Sequence, residues 1–413
     1  MCRCVFVDQM TAIIIKLGSL VETAFGREMT PVDTIESPSS AKPLLDDEQW
    51  FVNEPVDELK EFEQQQLLKA THKTENFYKR IEYLKVDYIT SFKELEFVRD
   101  KTIYFKVGKG SELMSLNEDG LPKLIVQPDD LLNELRHINL GTPVEGDTYI
   151  QDYEQYKKLK WDYLVHQVQA SALHFPSSTK YEFKIVAFAG LITTLLKTEP
   201  TGGKRDEWKI EAWKNGDMIF LRKFRHANDS GNQNGNEHHM AGIKFNQLSV
   251  AVNAEHLPVN EYEKCFEVFG TTFDGNYLVL LNEYNASTVD GKQVKLAMSK
   301  PWIRDNDENF FYKRKLVELR ANALVCNSSQ IVIGVRNEEG KLANVVNIRD
   351  VKYSDEFFNV DKSNDFLSRF FKFLRGKIED AADNQRYCFE LYSFRNERKV
   401  KCRLMASDES AEP

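Results

Sequence analysis

The sequence predicts an α+β protein, a single large domain with central mixed β-sheets flanked by helices. Three observations lead there. Short apolar runs of strand length alternate with longer runs of helical spacing along most of the 413 residues. Hydrophobic residues at 42% and aromatic residues at 12% supply a substantial core. No repeat with a period of roughly 20–50 residues is present, which removes solenoids and propellers.

Composition sets the outer bounds. Residues 1–48 include the Pro/Ser-rich MTPVDTIESPSSAKP and are expected to be a flexible N-terminal arm. The domain is assigned to 49–405, and ASDESAEP at 406–413 to an acidic disordered tail. A net charge of −9 argues against coating nucleic acid through bulk charge, while a local basic channel stays compatible with it. The six cysteines, Cys2, Cys4, Cys265, Cys326, Cys388 and Cys402, lack zinc spacing. The last four sit in apolar contexts and are expected to be reduced core residues of an intracellular protein. No uncharged apolar run reaches the roughly 18 residues of a spanning helix. The mildly apolar 4–21 is broken by Asp8 and Lys16, so a loose arm is expected there rather than a signal peptide.

The elements follow in order. EPVDELKEFEQQQLLKA (54–70) reads as an exposed polar helix, TIYFKV (102–107) as a strand and SLNEDGLPK (115–123) as turn chemistry. PDDLLNELRHI (128–138) is a short helix opened by Pro128 and two acids. In 152–173, Tyr153, Tyr156, Leu159, Tyr163, Leu164 and Val168 recur at helical spacing and mark a core-facing stripe. A strand runs into an apolar helix over 180–198, and a hairpin crosses Asn215-Gly216 between 207–213 and 217–224. TGGK (201–204) lacks the phosphate-loop pattern, and His238-His239 ends a Gly/Asn-rich surface loop, 226–239. A helix or strand–helix junction opens at 240, and strands follow at 265–270, 276–285 and 293–299. A helix with an apolar stripe and a basic face covers 307–325, and a hairpin turns at Glu339-Gly340. A helix capped by Ser363 or Asn364 covers 364–378 with Phe366, Phe370, Phe373 and Leu374 inward; a hairpin over 386–394 and 397–405 closes the domain.

The stretch from Asn276 to Trp302 organises the chemistry. It reads as two apolar strands joined by a turn at Asp290-Gly291, followed by a basic helix, a frame suited to a nuclease metal site. Glu283 is the only carboxylate on its strand, and Asn285, on the same face, is an amide. The second strand offers Lys295 and Ala297 where acids and a base would be useful.

Several segments together resemble the DXO/Rai family of RNA 5′-end decapping enzymes and 5′–3′ exonucleases. GIKFNQ (242–247) resembles its motif Gly–apolar–any–apolar–Glu, LVLLNEYN its Glu–apolar–Asp strand, and QVKLAMSK its Glu–apolar–Lys strand. FAGLITTLLKT resembles its W-R-G-x-L-T-K-L-L segment, with Phe188-Ala189-Gly190 in place of Trp-Arg-Gly. KRKLVELRANALV and QIVIGVRNEEGKLANV resemble the basic helix and the G-F-R-N-x-x-G hairpin that follow. The likeness covers roughly residues 80–405 and implies a DXO/Rai-like nuclease fold.

In active members, the resemblance implies, these acids hold magnesium or manganese and the lysine supports the reacting phosphate. Here the motif glutamate is Asn246, the Glu–apolar–Asp pair is Glu283 and Asn285, and the Glu–apolar–Lys pair is Lys295 and Ala297. Asn322 stands for the glutamine of the basic helix. Hard cations need carboxylate oxygens, and metal-assisted phosphodiester cleavage needs the ion. The expectation is a catalytically dead homologue with no metal and no cofactor. Lys295, Lys313, Arg314, Lys315 and Arg336 are its RNA-binding candidates. Such loss is similar to the family's degenerate insect germline branch. That likeness implies a nuclear role at heterochromatic piRNA source loci, with a Deadlock-like adaptor and a Rhino-like chromatin reader as partners. The alternative is an active divergent metal-dependent decapping enzyme or exonuclease drawing on Asp290, Asp305, Asp307 and Glu308. Turn and helix-start positions account for those four acids. A third reading is a pure protein-interaction module whose pocket holds nothing.

Overall fold

Apolar alternation along the chain builds two sheets and the helices that cover them. A computed structural model describes residues 82–85, 96–140, 145–170, 184–198, 207–224, 237–251, 258–300, 311–352, 354, 357–394 and 397–405. All of them lie in the unit Leu68–Pro413. The expected arm, the 54–70 helix, TGGK, the acids at 305–308 and the acidic tail lie outside the described residues.

The strands are β1 (Glu82–Lys85), β2 (Val98–Val107), β3 (Leu113–Leu116), β4 (Lys184–Phe188), β5 (Lys209–Asn215), β6 (Met218–Lys223), β7 (Cys265–Phe273), β8 (Asn276–Tyr284), β9 (Ala286–Ser287), β10 (Gln293–Ser299), β11 (Gln330–Arg336), β12 (Leu342–Ile348), β13 (Arg386–Phe394) and β14 (Glu397–Leu404). Ten of them form one sheet in the order β1-β14-β13-β5-β6-β4-β8-β7-β2-β3, and four form a second in the order β12-β11-β10-β9. Both are mixed: β4 runs parallel to β6 and β8, and β10 parallel to β11. The helices are α1 (Leu131–Leu135), α2 (Tyr153–Gln169), α3 (Ala189–Leu196), α4 (Glu237–Leu248), α5 (Val317–Val325) and α6 (Val360–Ile378).

The period of two in β8 sorts its side chains between the layers. Leu278 and Leu280 join a core with α3, α5 and α6, where Phe366, Phe370, Phe371 and Leu374 are fully buried. Tyr277, Val279 and Leu281 join a second core with the aromatic stripe of α2. The small sheet is covered in the same way. Val294, Leu296 and Met298 of β10 face Ala241, Phe245 and Leu248 of α4, while Ala297 faces Leu319 and Ala323 of α5. Gly334 of β11 lets α4 come close: a Cβ there would stand 2.9 Å from Phe245. At the β7–β8 hairpin, Asp274 and Gly275 take φ of 44° and 74°, the left-handed pair that matches strand twist.

The structure corrects three expectations. The two strands of the 276–302 stretch are not partners in one hairpin. β8 belongs to the large sheet and β10 to the small one, and the chain changes sheets at Asn285; within this stretch β10 pairs with the two-residue β9, and its other neighbour is the parallel β11. Periodicity reports which face is buried, not which sheet a strand joins. The last helix starts at Val360 under Asn359, whose side chain accepts from Lys362 N at 3.0 Å. Ser363 and Asn364 are buried inside it, because the fold needs that turn packed. His239 sits in the first turn of α4 rather than in a loop, held by partners distant in sequence.

Candidate functional site

Glu283 continues the Tyr277, Val279, Leu281 row, so it leaves β8 on the α2 side. The next same-face residue, Asn285, lies where the chain crosses between sheets. Its Nδ2 donates to Glu283 Oε1 at 3.1 Å, and its Oδ1 accepts from Leu296 N of β10 at 3.2 Å. Asn285 is thus a clamp between the sheets, a job an amide does and a carboxylate at the same place could do only in part. Asn246 comes from α4. Asn246, Gln247, Glu263, Lys264, Glu283 and Asn285 line a cavity of about 60 Å³. The Asn246 Oδ1 is buried and makes no hydrogen bond.

Beside this cavity stands a second carboxylate. Glu261 opens a 3₁₀ turn, Glu261–Glu263, capped by Asn260, whose Oδ1 accepts from Tyr262 N at 3.1 Å. Glu261 is fully buried and richly bonded. It accepts from Ile150 N at 3.0 Å, from Lys264 Nζ at 2.7 Å and, through a short bond, from Tyr153 Oη. His239 Nε2 lies 3.2 Å from its Oε1 and 2.8 Å from Tyr153 Oη. Burial alone would raise the Glu261 carboxyl. The bonds from His239, Lys264 and Tyr153 outweigh it and bring the pKa down to about 2. Burial, followed by the bond to Glu261, pushes the Tyr153 hydroxyl far up.

Three ammonium groups serve these two carboxylates. Burial would raise Glu283, but the charges of Lys264, Lys295 and Lys160 hold it below the ordinary range. Lys160 lies on α2, its Nζ 4.8 Å from the Tyr156 ring centroid and 4.6 Å from that of Phe266. Burial lowers its pKa to about 8, with Glu283 opposing that fall.

Of the residues singled out in the sequence, Asn246, Glu283 and Asn285 meet at one cavity, with the Lys295 charge acting on Glu283. Ala297 and Asn322 do not reach it. Ala297 is packed among Phe311, Leu319, Ala323 and Ile331, where no polar ligand is needed. Asn322 is buried in α5 and donates to Thr193 Oγ1 at 3.2 Å. Lys313, exposed, and Arg314 and Lys315, half-buried, lie on the π-helical turn Phe311–Leu316. Arg336 is buried at the end of β11, where pairing with β12 shifts register.

Sequence reasoning missed Glu261, Lys264 and Lys160. Glu261 and Lys264 occupy no motif, and only folding brings them to Glu283. Lys160 left a trace: it follows Tyr156 by four residues and so shares a face with the aromatic stripe of α2.

A larger cavity, about 570 Å³, lies elsewhere and is lined by Arg99, Tyr104, Tyr284, Lys292, Arg349 and Lys352 among others. Its cations are already matched, by Glu267, Asp290, Asp129 and Glu96. The candidate site is taken at the smaller cavity, where the motif residues Asn246, Glu283 and Asn285 meet.

The divalent cation that the sequence resemblance implies does not fit the donor set at Glu283. The charges of Lys264, Lys295 and Lys160 act on Glu283, Lys264 also pairs with Glu261, and Glu263 is paired with Lys106 at 2.6 Å, so the local charge opposes a hard cation. Among the described residues, no group of three or more His, Cys, Asp or Glu side chains is placed to hold a metal ion.

The fold has known counterparts. A crystal structure of Scheffersomyces stipitis Rai1 in complex with (3′-NADP)+ and calcium ion superposes with a TM-score of 0.62 at 13% identity, covering 79% of this chain and 94% of that one. Candida albicans Rai1 in complex with pU5-Mn2+ gives a TM-score of 0.57 at 11% identity over 79% of this chain and 94% of that one. K. lactis Dxo1 in complex with manganese gives 0.53 at 12% identity over 81% and 98%. At such identities the likeness shows the fold alone. No curated protein matches by sequence. A family model, RAI1 like PD-(D/E)XK nuclease, matches residues 101–412, well over half of the chain. The chain belongs to the RAI1-like PD-(D/E)XK nuclease family.

Proposed function

We propose that this chain is a catalytically inactive member of its family, a nuclear scaffold or RNA-end-protecting factor rather than a nuclease. The carrying observation is the charge inventory of the pocket: amides at Asn246 and Asn285, Glu283 held by the charges of Lys264, Lys295 and Lys160, Glu261 paired with Lys264 and Glu263 paired with Lys106. Cleavage of a phosphodiester with a metal needs an ion that generates hydroxide and neutralises developing charge. An ammonium neutralises charge but lowers no bound water's pKa. What such a pocket can do is hold a polar or anionic group without cutting it. Crystal structures of relatives hold pU5 with Mn2+ and (3′-NADP)+ with calcium ion, which supports an RNA-end or nucleotide-like occupant here.

The loss pattern resembles that of Cutoff, the degenerate insect germline member of the family. By that resemblance the chain acts at heterochromatic loci with a Deadlock-like adaptor and a Rhino-like chromatin reader. There it lets piRNA-precursor transcripts escape decay, termination and splicing, and so serves transposon silencing.

The test is metal-independent binding. A labelled 5′-monophosphate RNA is titrated with the full chain in EDTA and in Mn2+. The expected result is equal affinity under both conditions, weakening with salt as phosphate contacts do, and intact RNA throughout. Charge reversal at Lys295, Lys313, Arg314 and Lys315 should weaken it. Affinity unchanged by all four reversals leaves a pure protein-interaction module. Metal-dependent shortening of the RNA favours the active enzyme, for which Glu261 beside Glu283 is the one observation in support.

A further inference from the structure

We propose that Lys264 is a tethered cation, holding Glu261 and Glu283 as a charge-balanced set that would otherwise draw in a divalent metal ion. This rests on the non-catalytic reading above. The Lys264 Nζ lies 2.7 Å from Glu261 Oε1, and Lys264 shares the walls of the 60 Å³ cavity with Glu283 and Asn246. Its backbone is fixed on both sides, by the 3₁₀ turn Glu261–Glu263 before it and by β7 directly after it. The side chain is only 18% exposed, so the ammonium stays at the carboxylates rather than sampling solvent.

The physical consequence is specific. A metal approaching Glu261 must displace an ammonium that never leaves the chain, and must do so against the charges of Lys160 and Lys295. The ammonium donates hydrogen bonds but has no coordination site for water. The pocket thereby keeps the electrostatic balance of a metal centre and loses its Lewis acidity. The buried Asn246 Oδ1, which has no hydrogen-bond partner, is a further oxygen donor on a residue lining the same cavity. Removing the Lys264 charge should therefore leave two carboxylates and an amide oxygen, a set of hard oxygen donors opposed only by the charges of Lys160 and Lys295.

The experiment is a Mn2+ titration followed by electron paramagnetic resonance on the full-length chain, with thermal melts alongside. Lys264→Gln and Lys264→Met should bind Mn2+ at least about ten-fold more tightly than wild type, a gain of about 1.4 kcal/mol or more. Adding Glu283→Gln should abolish the gain, and the charge-keeping Lys264→Arg should behave as wild type. If the neutral variants fold only when Mn2+ is present, that also supports the proposal. Folded neutral variants with no gain, neutral variants that stay unfolded at saturating Mn2+, or wild type binding as tightly as they do, would each overturn it. Wild-type RNA hydrolysis, measured separately, would instead overturn the non-catalytic reading. A wild type that neither hydrolyses nor binds Mn2+, with variants equally inert, would overturn only this inference.

Discussion

Glu261→Gln is expected to lower the unfolding free energy at neutral pH by about 3 kcal/mol, the free-energy equivalent of a carboxyl brought from 4.5 to about 2. The residue is fully buried, and its bonds reach α2 through Tyr153, α4 through His239 and the segment before α2 through Ile150 N. A glutamine keeps the shape but leaves the Lys264 ammonium without its charge partner. The same group sets an acid limit. Its folded pKa is depressed, so its stabilisation is fully present above the ordinary 4.5 and is lost as pH falls from there towards about 2. Urea unfolding at pH 7 and pH 3 checks both points: wild type should lose stability between them, and the variant should lose less. Equal pH slopes would show that Glu261 is not the group responsible.

Glu267→Ala should cost about as much or more, on the order of 3–5 kcal/mol, because it breaks a buried ion pair and strands a cation. Glu267, on β7, is fully buried. It pairs with Arg99 of β2 through a short bond, and accepts from Asn282 Nδ2 and Gln293 Nε2, each at 2.9 Å. Arg99 also donates to Gln293 Oε1 and to the Cys326 carbonyl at 2.7 Å, with its guanidinium 4.3 Å from the Phe269 ring centroid. Gln293 starts β10, so this cluster bolts the large sheet to the small one near the Asn285 crossing. A double-mutant cycle between Arg99→Ala and Glu267→Ala should show strong coupling; additive losses would mean that the two act separately. Because Asn285 spans the same joint, the Glu267 variant should also weaken RNA binding, although it lies outside the cavity.

Much of the fold was legible because burial imposes periods that a sequence records. The stripe of α2 and the row Phe366, Phe370, Phe373 and Leu374 of α6 each named a face correctly. Turn chemistry located Asn215-Gly216 and Glu339-Gly340 between their strands. The exchange of sheets at Asn285 was not legible, since an amide that bridges two sheets looks like one that has merely replaced an acid. The site was legible only where a motif pointed. Glu283 and Asn246 were found that way, whereas Glu261 and Lys264 come from a turn with no pattern. Ala297 and Asn322 stand apart from that cavity: matching a motif position puts a residue on a strand or helix, and packing then decides what it touches.

Whether the pocket at Glu283 performs chemistry separates a binding factor from a nuclease. The most direct measurement is a single-turnover assay with the full chain in excess over 5′-triphosphate, capped or 5′-monophosphate RNA, at saturating Mg2+ or Mn2+. We expect no pyrophosphate, cap or nucleotide release above the protein-free rate. Release that depends on metal and disappears with Glu283→Ala would contradict the account at its centre.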